Sequence, residues 1–128
     1  MSKKARGLSR YGEVQDQEVL NTTSATELMI MLFDKACVLL KTAMRAAESN
    51  DDQIFPQSAL HALQIVLSLR FVLDTDSGSE LSKSLFGTYT TIAASLKKAK
   101  EEQDAAAIAT IYKALDELRT AWHSVSPP

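Results

Sequence analysis

The alternation of apolar and polar residues along the chain predicts four amphipathic helices. In four stretches, apolar side chains recur every three or four residues, which is the spacing of one helix face. These stretches run from residue 24 to about 49, from about 56 to about 73, from 77 to about 100, and from 104 to the tail at 126–128. Because the connections are short, neighbouring helices are expected to run antiparallel. The pattern therefore predicts an all-α fold, an antiparallel up-down-up-down four-helix bundle over residues 24–128, after a short flexible N-terminal arm or helix over residues 1–23.

The predicted helix starts carry recognisable capping residues. Ser24 and Glu27 form a capping box, in which the serine hydroxyl accepts from the Glu27 amide and the Glu27 carboxylate accepts from the Ser24 amide. Pro56 suits a first helical turn, where the N–H that proline lacks has no partner within the helix. The remaining signals are a stop at residues 50–52, a second capping-box pattern from Ser77 to Glu80, and an N-cap at Asp104. Each predicted helix therefore has its own start signal.

The second helix is more apolar than a bundle requires. At 100° per residue, the apolar arc spans roughly 140° on the third and fourth helices, roughly 180° on the first and roughly 260° on the second. A corner helix contacts two neighbours, so an arc of this width leaves apolar surface for something else to cover. We therefore predict that the second helix carries a partner-binding surface, formed by Leu60, Leu63, Val66, Leu67, Leu69, Arg70 and Phe71. Within this arc, Arg70 either pairs with a carboxylate or packs its stem with the charge at the rim.

The surplus apolar surface has three candidate covers: the N-terminal arm, a second copy of the chain, or a partner protein. The arm carries a short apolar pattern in which Tyr11 and Val14 are the candidate partner-binding residues. Docking within one chain needs no partner concentration, so we expect the arm to compete with a partner for part of this surface. Sedimentation of the isolated chain separates self-association from the other two.

Composition and charge narrow the class of protein. The chain is 45% hydrophobic with 4 glycines and 3 prolines, which favours long helices with few turns. No apolar run approaches the roughly 20 residues of a membrane span, so we expect no membrane insertion. The single cysteine excludes an internal disulfide and fits a reducing cytoplasm. Four basic residues lie within the first ten positions, but the rest of the chain is net acidic, which argues against nucleic-acid binding.

The residues do not suggest catalysis, and we expect no enzyme, no metal and no cofactor. His61 lacks the nearby Lys and Gly of a phosphotransfer histidine, and His123 is expected to be exposed, without an acidic cluster around it. Neither histidine follows a carboxylate by three residues, as di-metal bundles require. Cys37 lies on the apolar arc of the first helix without a basic neighbour, which is typical of a small buried side chain rather than a nucleophile.

Several segments resemble, in the same order, the flagellar secretion chaperone (FliS) family. Residues 20–28 (L-N-T-T-S-A-T-E-L) and 31–36 (M-L-F-D-K-A) are similar to its V-x-T-A-S-P-x-x-L and M-L-Y-D-G-A motifs. The segment from Leu73 through Gly78 to Tyr89 resembles its L-D-x-x-x-G-G-E segment and the tyrosine after it. Residues 118–122 (L-R-T-A-W) are similar to its L-R-x-A-W ending, and Tyr11 matches the tyrosine of its N-terminal arm.

This resemblance implies a cytoplasmic helical bundle that acts as an export chaperone. A chaperone of this family binds the disordered C-terminal segment of flagellin, prevents premature polymerisation, and delivers the flagellin to the flagellar type III export apparatus. The implied partners are therefore the flagellin C-terminal segment and the flagellar export gate, with no cofactor. The alternative is a self-associating helical-bundle interaction module without a secretion client. We expect the free chain to be a monomer or a weak homodimer, whereas a tight dimer would favour the alternative.

Overall fold

The computed structural model describes residues 24–73 and 78–125, and these residues form four α-helices and no strand. The helices are α1 (Ala25–Glu48), α2 (Ile54–Val72), α3 (Glu80–Glu101) and α4 (Ala105–Ser124). They pack as a ring in which α1 lies between α2 and α4, and α3 lies between the same two helices on the opposite side. Helices α1 and α4 run antiparallel, since Asp34 lies beside His123 while Lys41 lies beside Tyr112. The predicted all-α four-helix bundle is confirmed.

Helix α1 begins and ends where the sequence predicts. The Ser24 hydroxyl accepts from the Glu27 amide at 3.0 Å, and the Glu27 carboxylate accepts from the Ser24 amide at 2.9 Å. At the other end, Asn50 adopts a left-handed backbone with φ 56°, which asparagine tolerates better than most residues. This turn lets the Asp51 amide donate back to the Ala46 carbonyl at 2.8 Å, so the helix closes on a Schellman-type contact.

Aspartates cap two of the following helices. Asp51 accepts from the Ile54 amide at 2.9 Å, so the residue that closes α1 also satisfies the first free amides of α2. Pro56 lies in the first turn of α2, as predicted. Asp104 accepts from the Ala107 amide at 3.0 Å and is the N-cap of α4, which confirms the prediction made for it.

The start of α3 differs from the capping-box pattern at Ser77. The N-cap is Ser79, whose hydroxyl accepts from the Ser82 amide at 3.3 Å. Ser79 has extended backbone angles and Glu80 is the first helical residue, so the helix starts two residues later than the pattern suggests. Ser77 itself lies outside the described residues. The physical reason is that a serine followed by a helical turn suffices as a cap, and the sequence offers two such serines.

The core is centred between α1 and α2. Each of these helices buries eight side chains, whereas α3 buries four and α4 three. Small residues of α1 and α2 lie fully buried where the two helices approach closely, for example Ala36, Ala43, Ala59 and Ala62. Helices α3 and α4 are therefore held to the bundle by fewer buried side chains.

Tyr89 of α3 is the largest of these side chains and is completely buried. Its ring meets the Phe33 ring of α1 edge-on, with the centroids 5.6 Å apart, a favourable aromatic geometry. Its hydroxyl accepts from the Trp122 indole N–H of α4 at 2.9 Å. A buried hydroxyl without such a partner costs free energy, so this bond matters for stability. Through one residue, α3 is thus connected to both α1 and α4.

Replacing Ser24 by alanine is expected to lower the free energy of unfolding by about 1 kcal/mol, because one amide of α1 loses its acceptor. Urea unfolding followed by circular dichroism measures the change. Ser68→Ala is the matched control, since the Ser68 hydroxyl only donates to the Gln64 carbonyl on the exposed side of α2. Equal stability of Ser24→Ala and the unmodified chain would show that tertiary packing alone sets the start of α1.

Candidate partner-binding surface

The residues predicted on α2 divide into a buried and an exposed group. Leu63, Val66 and Leu69 belong to the hydrophobic core and are 8%, 0% and 0% exposed. Leu60 and Phe71 are exposed and Leu67 is half-buried. Helix α2 packs against α1 on one side and α3 on the other, which accounts for most of its wide apolar arc. Of the residues predicted on α2, only those that solvent reaches are therefore available to a partner. Tyr11 and Val14, the residues predicted in the N-terminal arm, lie outside the described residues.

The exposed side of α2 is free of charge over almost its whole length. Its apolar members Leu60, Leu67 and Phe71 alternate with the neutral polar residues Gln57, His61, Gln64 and Ser68. Arg70 is the sole Lys, Arg, Asp or Glu of this helix. A helix with a solvated outer face normally carries several charges there, and α1 does so with Lys35, Lys41 and Arg45 among others.

Helix α3 continues this neutral surface. Between Lys83 and Lys97 it contains no charged residue, although positions such as Thr88, Thr90 and Thr91 are exposed. We call residues 54–69 of α2 and 84–96 of α3, on their solvent-facing sides, the neutral belt. Charge depletion of this kind is characteristic of the centre of protein interfaces. Apart from Arg70, the charges of the described helices lie on α1, on α4 and at the two ends of α3.

Exposed large apolar side chains concentrate in or beside the belt. Of the eight found among the described residues, five belong to α2 or α3, and these are Ile54, Leu60, Phe71, Leu81 and Phe86. Two others, Met31 and Val38, lie on the outer face of α1 among its charges. The concentration on α2 and α3 makes this side of the bundle the candidate surface for an apolar partner.

An open groove of about 710 Å³ borders the belt between α3 and α4. Gly87, at the middle of its α3 wall, lies in open space, because a Cβ atom added there meets no atom within 4 Å. A glycine inside a helix costs about 1 kcal/mol relative to alanine, and here no close packing within the described bundle requires it. Its lining consists of exposed residues (Ser84, Gly87, Thr88, Thr91 and the charged Glu117) and of half-buried apolar ones (Ile92, Ala114 and Leu118).

Arg70 lies at the edge of the belt, on the seam between α2 and α3. Its guanidinium lies over the Phe86 ring, 5.3 Å from the centroid, and its Nη1 donates to the Thr90 hydroxyl oxygen at 3.3 Å. The Thr90 hydroxyl in turn donates to the Phe86 carbonyl at 2.8 Å, so it accepts from Arg70 without conflict. The Nε atom of Arg70 is buried without a hydrogen-bond partner.

A polar cluster closes the opposite seam, between α1 and α4. Asp34 accepts from Arg119 Nη1 at 3.5 Å and lies 3.0 Å from His123 Nε2, while Arg119 also pairs with Asp116 at 2.9 Å. His123 is exposed, as predicted, and a single carboxylate, that of Asp34, lies beside it. The carboxylate comes from α1, 89 residues away along the chain, and only the packing of the helices brings it there.

Cys37 is buried, as predicted, but the expectation that it has no basic neighbour is wrong, because the Arg119 side chain of α4 lies beside it. Burial raises the pKa of its thiol from 9.0 to about 11, and the Asp116 carboxylate adds to the shift. Burial likewise raises the pKa of Tyr89 to about 12. Both groups are therefore neutral in the folded chain near pH 7, which fits packing roles rather than nucleophilic ones.

Two further observations concern the described residues only. No group of three or more His, Cys, Asp or Glu side chains is placed to hold a metal ion. No helix among them is both long and apolar enough to cross a bilayer.

Sequence comparison decides the family of the chain. The sequence model of the family described as "Flagellar protein FliS" matches residues 7–128. The chain belongs to this family. It is 28% identical to the flagellar secretion chaperone FliS of Salmonella typhimurium, over 96% of this chain and 92% of that protein. The chaperones of the same name from Escherichia coli and Vibrio cholerae are 26% and 22% identical, each covering 88% of its own length.

The residues that carry the resemblance to the FliS family hold the bundle together. Asp34 of the M-L-F-D-K-A segment pairs with Arg119 of L-R-T-A-W, and Trp122 of the same segment binds Tyr89. These motif residues therefore contribute contacts between helices. The absence of charge from residues 84–96 is visible in the sequence. The groove beside them is not, because it depends on the distance between α3 and α4.

The stability of the chain is expected to fall as the pH rises from about 9 to about 11. The thiol of Cys37 ionises near pH 9 in the unfolded chain and near pH 11 in the folded one, so ionisation favours the unfolded state in this window. Cys37→Ala should flatten this part of the curve and keep a later decline above pH 10, where Tyr89 acts in the same sense. The free energy of unfolding, measured with denaturant at each pH across this range, tests the prediction. If its dependence on pH is the same for Cys37→Ala and for the unmodified chain, the assignment to Cys37 is wrong.

Proposed function

We propose that this protein is a cytoplasmic export chaperone that binds the disordered C-terminal segment of flagellin. In this proposal it prevents premature flagellin polymerisation and delivers the client to the flagellar type III export apparatus, where the export gate is its second partner. The names of its relatives support the chaperone role in general terms. The neutral belt is the observation in the structure that supports a client-binding surface most directly.

The belt suits a client that is disordered when free and folds on binding. An amphipathic segment that forms helices on the belt covers Leu60, Phe71 and Phe86 with its own apolar face. Neutral polar groups such as Thr88 and Thr91 accept or donate hydrogen bonds without the desolvation penalty of charges. The apolar area buried is offset by the entropy cost of ordering the client, which keeps release at the export gate possible.

The α3–α4 groove gives this client a second place to insert. Its α3 wall is part of the belt, and the missing side chain at Gly87 leaves room for an apolar side chain of a bound helix. A client that follows the belt from α2 across α3 reaches the groove without crossing a charged residue. No chemistry and no cofactor are needed for this function.

Self-association is the second candidate, because two copies that face each other through the belt cover the same apolar side chains. Sedimentation of the free chain distinguishes the two. A monomer, or a weak homodimer that the flagellin segment dissociates, fits the chaperone. A tight dimer that excludes the segment fits the self-associating module.

Aspartate substitutions on the belt side are expected to abolish client binding. Leu60→Asp together with Phe71→Asp places two charges among apolar contacts, at side chains that are 45% and 84% exposed and so contribute little to folding. Titration calorimetry with the flagellin C-terminal segment measures binding, and a thermal melt followed by circular dichroism checks the fold. The matched control is Met31→Asp with Val38→Asp on α1, where exposure is 62% and 57%.

We expect this control pair to bind the segment like the unmodified chain. Equal losses from both pairs would mean that any added negative charge weakens binding. Full binding by the belt pair would place the client on another face of the bundle.

Filling the groove at Gly87 is expected to weaken client binding without unfolding the chain. In Gly87→Leu the new side chain occupies open space and leucine has the higher helix propensity, so the melting temperature should stay equal or rise. Gly87→Ala is the matched control, because it brings the same gain in propensity with little added volume. If Gly87→Leu binds the segment as tightly as Gly87→Ala does, the client does not enter the groove.

A further inference from the structure

We propose that Arg70 is a specificity-determining residue that binds a carboxylate of the client segment. This inference rests on the proposed function, and it adds a chemical requirement to it. The client must place an Asp or Glu side chain beside the apolar face that covers the belt.

Arg70 is isolated from the other charged side chains of the described bundle. Arg70 is the single charged residue of α2, and the facing stretch of α3 from Ser84 to Leu96 has none. Among the described residues, no carboxylate lies within ion-pair distance of it. Arg119, on the opposite seam, pairs with both Asp34 and Asp116. The described bundle therefore supplies anionic partners for one of its seam arginines and none for the other.

The residues around Arg70 fix the position of its guanidinium but do not supply acceptors for all of its N–H groups. The Phe86 ring supports one face, and Thr90 takes one N–H. The buried Nε has no acceptor, and an unpaired buried donor on a charged group is costly. A client carboxylate does not reach the buried Nε, but it matches the remaining N–H groups of Nη1 and Nη2, because a carboxylate takes two N–H groups of the planar guanidinium at once.

The position of Arg70 also favours a bond to a client carboxylate over bonds to water. Phe71, the next residue, is 84% exposed, and Phe86 is partly exposed beneath the guanidinium. A client helix that covers these two aromatic rings excludes water from around Arg70, which strengthens a charge-assisted bond there. The exclusion of water also weakens the binding of a client without a carboxylate, because the guanidinium then loses its hydration and gains no hydrogen-bond acceptor. Arg70 thus selects among apolar segments that would otherwise bind the belt equally well.

A double-mutant cycle tests the proposal. Arg70→Met keeps an apolar stem of similar length and removes the charge, and Arg70→Lys keeps the charge and removes the planar fork. Binding of the flagellin C-terminal segment is measured by calorimetry for each full-length variant. Segments in which one Asp→Asn or Glu→Gln change is made at a time are measured in parallel. Arg45→Met, at an exposed arginine on the outer face of α1, is the control for the change in net charge.

We expect Arg70→Met to weaken binding by about 10- to 100-fold, the range for a hydrogen-bonded charge. Arg70→Lys should recover part of this loss, and Arg45→Met should bind within about twofold of the unmodified chain. One carboxylate change in the segment should cause the same loss with the unmodified chain and no further loss with Arg70→Met. This coupling is what a merely structural role of Arg70 does not produce.

Two results would overturn the inference alone. One is binding by Arg70→Met that equals that of the unmodified chain, with an intact melt. The other is a set of losses that simply add for every carboxylate, which would assign Arg70 to packing or to a backbone carbonyl of the client. Failure of the unmodified chain to bind the segment at all would instead overturn the proposed function together with this inference.

Discussion

The bundle depends on Tyr89. Helices α3 and α4 bury few side chains and have an open groove between them, so their positions rest on a small number of strong contacts. The buried phenol supplies two of these contacts at one level of the bundle, an edge-on contact with Phe33 and a hydrogen bond from Trp122. With α3 tied in this way from its inner side, its outer side is free to carry residues chosen for something other than folding.

The distribution of charge separates two sides of the molecule. On the α1–α4 side, Asp34 pairs with Arg119 across the seam, Asp116 pairs with Arg119 within α4, and further charges keep the outer faces solvated. Exposed ion pairs of this kind contribute little stability each, so their main effect is on solubility and register. On the α2–α3 side, neutral polar and apolar residues take their place. Apart from Arg70, this side lacks charges that would have to be desolvated in a complex.

Membership of the FliS family and the proposed partner surface rest on different residues. The motifs shared with the family place Asp34, Tyr89, Arg119 and Trp122 in contacts between helices, of which the buried Tyr89–Trp122 bond contributes most to the fold. The neutral belt lies mostly outside these motifs, on the faces that the motifs leave exposed. The motif residues therefore serve contacts within the bundle, whereas in the proposed function client recognition depends on side chains such as Leu60, Arg70 and Phe71.

The sequence by itself determined the helices, their caps at Ser24 and Asp104, and the burial of Cys37, because these follow from local spacing and local hydrogen bonds. It also showed that α2 is unusually apolar. Only the tertiary structure decided which of those apolar residues remain exposed: Val66 and Leu69 face the core while Leu60 and Phe71 do not, since the packing angles against α1 and α3 select among them. For the same reason, the sequence did not show that Asp34 lies beside His123 or that a groove lies between α3 and α4. Both arise between helices that are distant in sequence, and periodicity along one helix carries no information about the distance to another.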